Sequence, residues 1–408
     1  MAKEEVSFLT EATIDFNNKA LLGSLATRLE QEPARIAEAK KEGRKVVGYF
    51  CPHVPEELIL AAGMLPVRLT FGGELEPVSA GEDFLKSYSC SFARSCLGYR
   101  KLSDNFYYTA VDAICVAYTC DSMRRIQEYW EKYFGVPTFS LGVTQTHDRF
   151  RSKPHAIEYF KNELNLLRRK LADFGGKTIK DGDIRKTIAL CNKIRERLWL
   201  LYEYPQYKQP PIEWRDVLDI THAGFLIERA DFLNELVKID QDLRKRKIEE
   251  MSPDTRPRIM IAGSIIGIGD HKVLDIIKQA GANIVADSTC TGSMFSRKRV
   301  SMSGIIGSPI DALAERYLYN VPCPFMTDLP KRLNRIIRIA RDYAVHGLVY
   351  YNLKYCDIWR AEFKFIKDAL YKELSVPSLL IETDYSPTDV GTIRTKVEAF
   401  LEMIGAQV

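Results

Sequence analysis

Along the chain, short apolar runs alternate with stripes of apolar residues spaced three or four apart. Lys45-Val-Val-Gly-Tyr-Phe50 is short enough for a buried strand, and it stops at Cys51-Pro-His-Val-Pro55, where two prolines forbid continuation. Residues 56–63 predict a short helix with acids in its first turn, which suits the helix dipole. Residues 65–70 predict a second strand. A strand at 111–118, an amphipathic helix at 121–134 closed by Gly135, and a strand at 137–141 continue the alternation. Strands alternating with helices imply a parallel sheet with helices on its faces.

From residue 153 to about 250 the period is helical. Ile157, Phe160, Leu164, Leu167, Leu171 and Phe174 form one stripe ending at Gly175-Gly176, and Ile184, Ile188, Cys191, Ile194, Leu198 and Leu201 form another. Arg244-Lys-Arg-Lys-Ile-Glu-Glu250, followed by Ser252-Pro253-Asp254, reads as a helix end and linker. A second α/β unit has strands at 258–263, 283–287, 347–351 and 378–382, with helices at 271–280, 331–345 and 361–373 between them. The expected division is a helical segment 1–43, an α/β domain 44–152, a helical region and linker 153–256, and a second α/β domain 257–408.

Composition changes this picture little. A chain of 408 residues with 46% hydrophobic content and a net charge of +4 has room for two or three cores, and its charge does not argue for nucleic acid or an anionic membrane. No run of about 18 apolar residues exists, so no transmembrane helix is expected. Met-Ala-Lys-Glu-Glu lacks the apolar core of a signal peptide, so a cytoplasmic location is expected. In a reducing compartment, nine cysteines suit metal or redox work better than a disulfide framework.

Two familiar motifs fail. Gly175-Gly-Lys-Thr178 follows a helix and lacks the upstream glycine of a phosphate loop. Gly263-Ser-Ile-Ile-Gly267-Ile-Gly269 lies between strand and helix, but its spacing is not that of a dinucleotide site, so neither flavin nor NAD is expected. Its glycines permit a close backbone approach.

The cysteines are better placed. Ligands of open parallel sheets bind beyond the carboxyl ends of the strands. Cys120, Cys290 and Cys356 each lie just past such an end, and Cys90 and Cys96 share a segment rich in serine and aromatics. We read these thiols as ligands of an iron–sulfur centre held between the two α/β halves. Cys115, within a strand, and Cys191, within a helical stripe, read as small buried hydrophobes. Cys51, at a strand end beside prolines, and Cys323, in the loop Val321-Pro-Cys-Pro-Phe325, admit both readings. His53, Glu382 and Asp384, near strand ends, are candidates for proton transfer or for lining the crevice, against turn and cap roles. Arg297-Lys-Arg299 could grip a phosphate or a partner, or simply be solvated.

The stretch from Lys45 to Arg68, with Cys90-Ser-Phe-Ala-Arg-Ser, Thr119-Cys-Asp121 and Lys354-Tyr-Cys-Asp-Ile-Trp359, resembles the signature segments of the 2-hydroxyacyl-CoA dehydratase family, which includes the cluster-carrying subunits of benzoyl-CoA reductase. The similarity runs from about residue 35 to 385. The resemblance implies two flavodoxin-like domains with an iron–sulfur cluster between them. It implies Cys90, Cys120 and Cys356 as ligands, a dimer, and a separate ATP-hydrolysing iron–sulfur activator that delivers low-potential electrons. Beyond those three, Cys96, Cys290 and Cys323 bring the thiols to six, which resembles the double-cubane branch of the family. That branch implies a homodimeric, oxygen-sensitive reductase acting on a small molecule at an [8Fe-9S] cluster. Two alternatives stay open. One is the [4Fe-4S] subunit of a 2-hydroxyacyl-CoA dehydratase, which pairs unlike subunits and dehydrates through a ketyl radical. The other is an electron carrier without a substrate.

Overall fold

Eight strands form in two groups of four. The computed structural model describes residues 14, 16–144, 153–246, 254–302, 307–326 and 328–405. The expected linker around 247–253, the start of the N-terminal segment at 1–13 and the end of the first α/β segment at 145–152 lie outside the described residues. The first sheet contains β1 (Val46–Tyr49), β2 (Leu65–Arg68), β3 (Ala113–Tyr118) and β4 (Thr138–Gly142), and the second β5 (Arg258–Gly263), β6 (Asn283–Ser288), β7 (Gly347–Leu353) and β8 (Ser378–Thr383). Their orders are β2-β1-β3-β4 and β6-β5-β7-β8, and every pairing is parallel. The register sets Gly48 opposite both Val67 and Ile114 in the first sheet, and Ile261 opposite Asp287 and Val349 in the second. Both halves therefore have the flavodoxin-like order expected. In each, the chain reverses direction across the sheet beside its first strand, opening a crevice at the carboxyl ends of β1 and β3 and of β5 and β7.

The helices follow the apolar stripes. Asp181–Glu203 buries the whole of its predicted stripe, and Lys153–Gly175 buries Phe160, Leu164, Leu167 and Leu171 while Ile157 and Phe174 at its ends are half-buried. Asp121–Phe134 ends at Gly135 in the left-handed conformation, φ 62°, as a C-capping glycine should. Some boundaries differ from expectation. β3 begins at Ala113, because Asn105 caps a short helix Phe106–Ala110 that occupies the preceding residues. The helix expected at 361–373 begins at Asp357 and runs to Leu374. A helix Ser91–Leu102, not anticipated, starts directly after Cys90.

Three apolar clusters make the layers. One lies between the two sheets and includes Ile114, Trp130, Leu218, Ile261 and Val349. The outer face of the first sheet packs on Lys153–Gly175 and on the helix Pro309–Tyr319, through Leu164, Leu171, Leu313 and Tyr317. The outer face of the second packs on Leu329–Asp342 and Asp357–Leu374. Burial of such side chains, roughly 1.5–3 kcal/mol each, is the main favourable term.

Backbone joins the halves directly. Phe71 and Ile268 form a parallel bridge, with Gly72 N–H donating to the Ile268 carbonyl at 2.9 Å and Ile268 N–H to the Thr70 carbonyl at 2.7 Å. The glycine-rich stretch that failed as a dinucleotide motif serves this junction. A Cβ on Gly267 would stand 3.0 Å from the Gly72 backbone, and one on Gly73, φ +87°, only 2.5 Å from the Gly269 carbonyl oxygen. A buried ionic network adds a second tie. Glu57 meets Arg195 at 2.7 Å and the Tyr317 hydroxyl at 2.7 Å, while Glu56 meets Arg229 at 2.8 Å and the Tyr49 hydroxyl at 3.0 Å.

Candidate functional site

The two crevices face one another across a cavity of about 410 Å³. Its wall carries six thiols: Cys51, Cys90 and Cys120 from the first half, and Cys290, Cys323 and Cys356 from the second. The nine cysteines divide cleanly. These six are partly exposed, whereas Cys96, Cys115 and Cys191 are fully buried. Cys115 lies within β3 and Cys191 within Asp181–Glu203, among core residues.

Local backbone explains the placement. Cys51 follows β1, where prolines turn the chain, and its sulfur lies 3.7 Å from the Thr119 hydroxyl beside β3. Cys90, Cys120 and Cys356 occupy the N-cap positions of Ser91–Leu102, Asp121–Phe134 and Asp357–Leu374. First-turn amides and the positive ends of three helix dipoles therefore face the thiols. Tyr355 adopts φ 66°, a left-handed backbone uncommon for a residue with a side chain, at the turn that presents Cys356. Gly263, φ +126°, ends β5 where a Cβ would meet the Tyr351 carbonyl oxygen at 1.9 Å. That close approach lets Ser264 and Ile265 form part of the wall.

The electrostatics are those of thiols taken out of water beside positive charge. Cys90 and Cys356 act on each other: contact with Cys356 pulls Cys90 below the usual thiol range, helped by the Ala93 and Phe92 amides, and the same contact with burial pushes Cys356 up. Burial pushes Cys120 up to about 12 and Cys290 up to about 11, with the Met123 amide opposing at the first and the Arg68 guanidinium at the second. Burial also raises Cys51 and Cys323. Arg68 is itself buried at the end of β2. Its Nε donates to the Phe50 carbonyl at 3.1 Å, its guanidinium lies 4.5 Å from the centre of the Phe225 ring, and Nη1 and Nη2 have no partner among the described residues. Sequence reasoning passed over Arg68, although a charged residue ending a strand of a buried parallel sheet is a signal worth weighing.

Other candidates fall elsewhere. Cys96 is not on the cavity wall: the helix after Cys90 carries it into the core, where the Tyr108 hydroxyl lies 3.7 Å from its sulfur. His53 is fully buried behind the wall, its Nδ1 2.9 Å from the Tyr317 carbonyl oxygen, and burial lowers it to about 4. It is a neutral core imidazole, not a proton donor in the crevice. Asp384 accepts from Lys354 at 2.8 Å and from the Ser386 amide at 2.9 Å, and Glu382 pairs with Arg360 at 3.3 Å; neither lines the cavity. Both serve the loop and edge beyond β8. Arg297 lies 4.9 Å over the Trp199 ring, and Arg299 pairs with Glu196. Among the described residues, no three His, Cys, Asp or Glu side chains converge closely enough to hold a single metal ion. The six thiols ring a volume instead of a point. No helix among the described residues is long and apolar enough to cross a membrane.

Comparison with known proteins agrees with this architecture. The chain is 29% identical over 370 residues to the provisionally named dehydratase subunit YjiM of Escherichia coli (strain K12), covering 90% of this chain and 94% of that protein. It is 24% identical over 374 residues to the beta subunit of (R)-phenyllactyl-CoA dehydratase of Clostridium sporogenes, covering 90% and 93%. It is 25% identical over 381 residues to a subunit of benzoyl-CoA reductase from Thauera aromatica, covering 92% and 95%. The family model described as 2-hydroxyglutaryl-CoA dehydratase, D-component, matches residues 51–404, from the first thiol of the cavity to the last helix. The chain belongs to the 2-hydroxyglutaryl-CoA dehydratase D-component family.

Proposed function

We propose that this chain is the iron–sulfur subunit of a reductase, holding a double-cubane [8Fe-9S] cluster on Cys51, Cys90, Cys120, Cys290, Cys323 and Cys356. One observation carries the reading: six partly exposed thiols, three from each half, wall a single cavity. The donor set fits such a group. Thiolates of such a cluster would bind different irons, so its protein ligands would surround a volume instead of converging on a point. The cluster, when bound, supplies low-potential electrons to a substrate. The chain's own residues do the rest. Helix N-termini at Cys90, Cys120 and Cys356 and the Arg68 charge favour thiolates. The raised Cys51, Cys120, Cys290 and Cys323 thiols release protons on ligation. Phe50, Phe92 and Trp359 supply an apolar lining that lowers the local dielectric around the thiols. Exposed Asp121, Tyr355, Asp357 and Ile358 sit on the same wall, so the cavity opens to solvent, which favours an enzyme acting on a small molecule over a sealed electron carrier.

Dehydratase chemistry on a hydroxyacyl thioester is the second reading. The observation that favours it is that only Cys90, Cys120 and Cys356 sit at helix N-caps, making three thiols a set by themselves. Relatives named as subunits of a dehydratase and of a reductase support a partner protein in that case. In either case we infer a separate ATP-hydrolysing activator as electron donor.

Iron and acid-labile sulfide per chain, after strictly anaerobic purification, test this. About eight irons are expected, falling to about four when Cys51, Cys290 and Cys323 are replaced together by serine. About four irons in the unaltered protein would overturn the double cubane and make the three-thiol reading the one to pursue.

A further inference from the structure

Behind the loop that carries Cys323 lies a second cavity, of about 640 Å³. Its wall holds Arg297, Lys298, Lys331, Arg335, Arg338 and Arg341, and among the described residues its sole carboxylate is Glu373. The helix Leu329–Asp342 supplies four of the six cations, because positions 331, 335, 338 and 341 recur along one face while Ile336, Ile339 and Ala340 enter the core. The other two follow the short turn after Cys290 and the helix Ser293–Ser296.

The arginines at its centre are poorly compensated. Arg335 Nε and Nη2 are shut off from solvent and have no hydrogen-bond partner among the described residues. Its guanidinium is held well below the ordinary arginine range by burial, and then by the charges of Arg297 and Arg332. Arg332 is committed to Glu362, at 2.5 Å and 2.6 Å, and offers its neighbour no relief. Arg297 is lowered in turn by burial and by Arg338. A guanidinium carries only donors, so its neighbours of the same kind cannot satisfy it and an anion can. Several guanidinium groups crowded at the wall of a concave space, with buried N–H donors unmet, constitute a site for an anion carrying more charge than one carboxylate.

We propose that this arginine-lined cavity binds a ligand bearing a diphosphate group. Guanidinium forks match paired phosphate oxygens, and the volume suits a ligand larger than a single phosphate ion. A free nucleotide and an activated carrier such as coenzyme A present the same group. The site also neighbours the thiols: Val321, Cys323 and Phe325 face the first cavity, while Asn320 and Pro322 face this one. A ligand held here lies across one strand of backbone from Cys323. The inference stands apart from the cluster reading, since its test does not read iron.

The test is calorimetric titration of the full chain with pyrophosphate, ADP, coenzyme A and orthophosphate. Diphosphate-bearing probes are expected to bind about ten-fold or more tightly than orthophosphate, with affinity falling as salt rises. Arg335→Met and the solvent-exposed Arg338→Ala are each expected to weaken binding about ten-fold or more. The Arg338 variant is expected to keep the parent melting temperature. Binding of ADP without coenzyme A, or the reverse, supports the site and names its source. No binding by any diphosphate probe, or binding that both variants retain, overturns it.

Discussion

Two cysteines show what single residues could and could not disclose. Cys96 and Cys51 are each a thiol near a promising segment, and the sequence separates them only if the backbone between Cys90 and Cys96 is known. Because Cys90 is an N-cap, the next residues coil, and Cys96 is swept into the core beside Tyr108. Cys51 stays at the mouth of β1, because proline prevents both strand and helix from continuing. Cys96→Ser should therefore leave iron content unchanged after anaerobic purification, and Cys51→Ser should reduce it; equal losses would return Cys96 to the ligand set. Arg68 gives a second prediction at this scale. Its buried guanidinium places positive charge behind Cys290 and Cys51, which favours the more negative, reduced state of a bound cluster. Arg68→Met should shift the reduction midpoint of the iron-loaded protein to lower potential, followed by EPR-monitored titration. An unchanged midpoint would remove Arg68 from the electrostatics of the site.

Elements were legible where their period was strong. The stripes of Lys153–Gly175 and Asp181–Glu203 and the apolar runs of β1, β5 and β7 left little choice of secondary structure. Ser91–Leu102 was not legible, because its apolar residues lie on several faces and nearly the whole helix is buried. The stretch from Gly263 to Gly269 was misleading in a different way. Its glycines permit a close backbone approach, and the backbone that approaches Gly267 and Gly269 is that of Gly72 and Gly73 from the other half. Asp270 closes this junction, where it accepts the Tyr351 hydroxyl and burial raises it to about 6 from its ordinary 3.8. The folded state thus holds the proton more tightly than the unfolded one. The associated stability is full below about pH 4 and is lost as pH rises through about 6, at up to about 1.4 kcal/mol per pH unit. Relative to the parent, Asp270→Asn should gain stability between pH 4 and 7 in urea titrations. A difference that stays flat across that window would deny the group its proton.

At the scale of the whole molecule, the pairing of halves was the least legible part. Alternating strands and helices announced two similar units, but not that Pro309–Tyr319, which follows β6 in the chain, packs on the outer face of the first sheet. The Glu57–Arg195–Tyr317 contact belongs to this level, since it joins a helix beside the first sheet to one from the second unit. Glu57→Ala removes the nearer carboxylate from buried Arg195, leaving it Glu56 at 3.9 Å and the Tyr317 hydroxyl at 2.9 Å, and should cost about 3–5 kcal/mol in chemical denaturation. A cost near that of an exposed ion pair, below about 1 kcal/mol, would mean the network is dispensable. The three-and-three division of the cavity thiols has a consequence in time. During synthesis Cys51 precedes Cys356 by 305 residues, the difference of their positions. At about 5–20 residues per second that is a delay of roughly 15–60 s. A nascent chain carries three of the six cavity thiols before the other three exist, and a chaperone that shields Cys51, Cys90 and Cys120 from oxygen and stray metal during that interval would have a defined target. A cluster that draws on both halves could be completed only after Cys356 has been made.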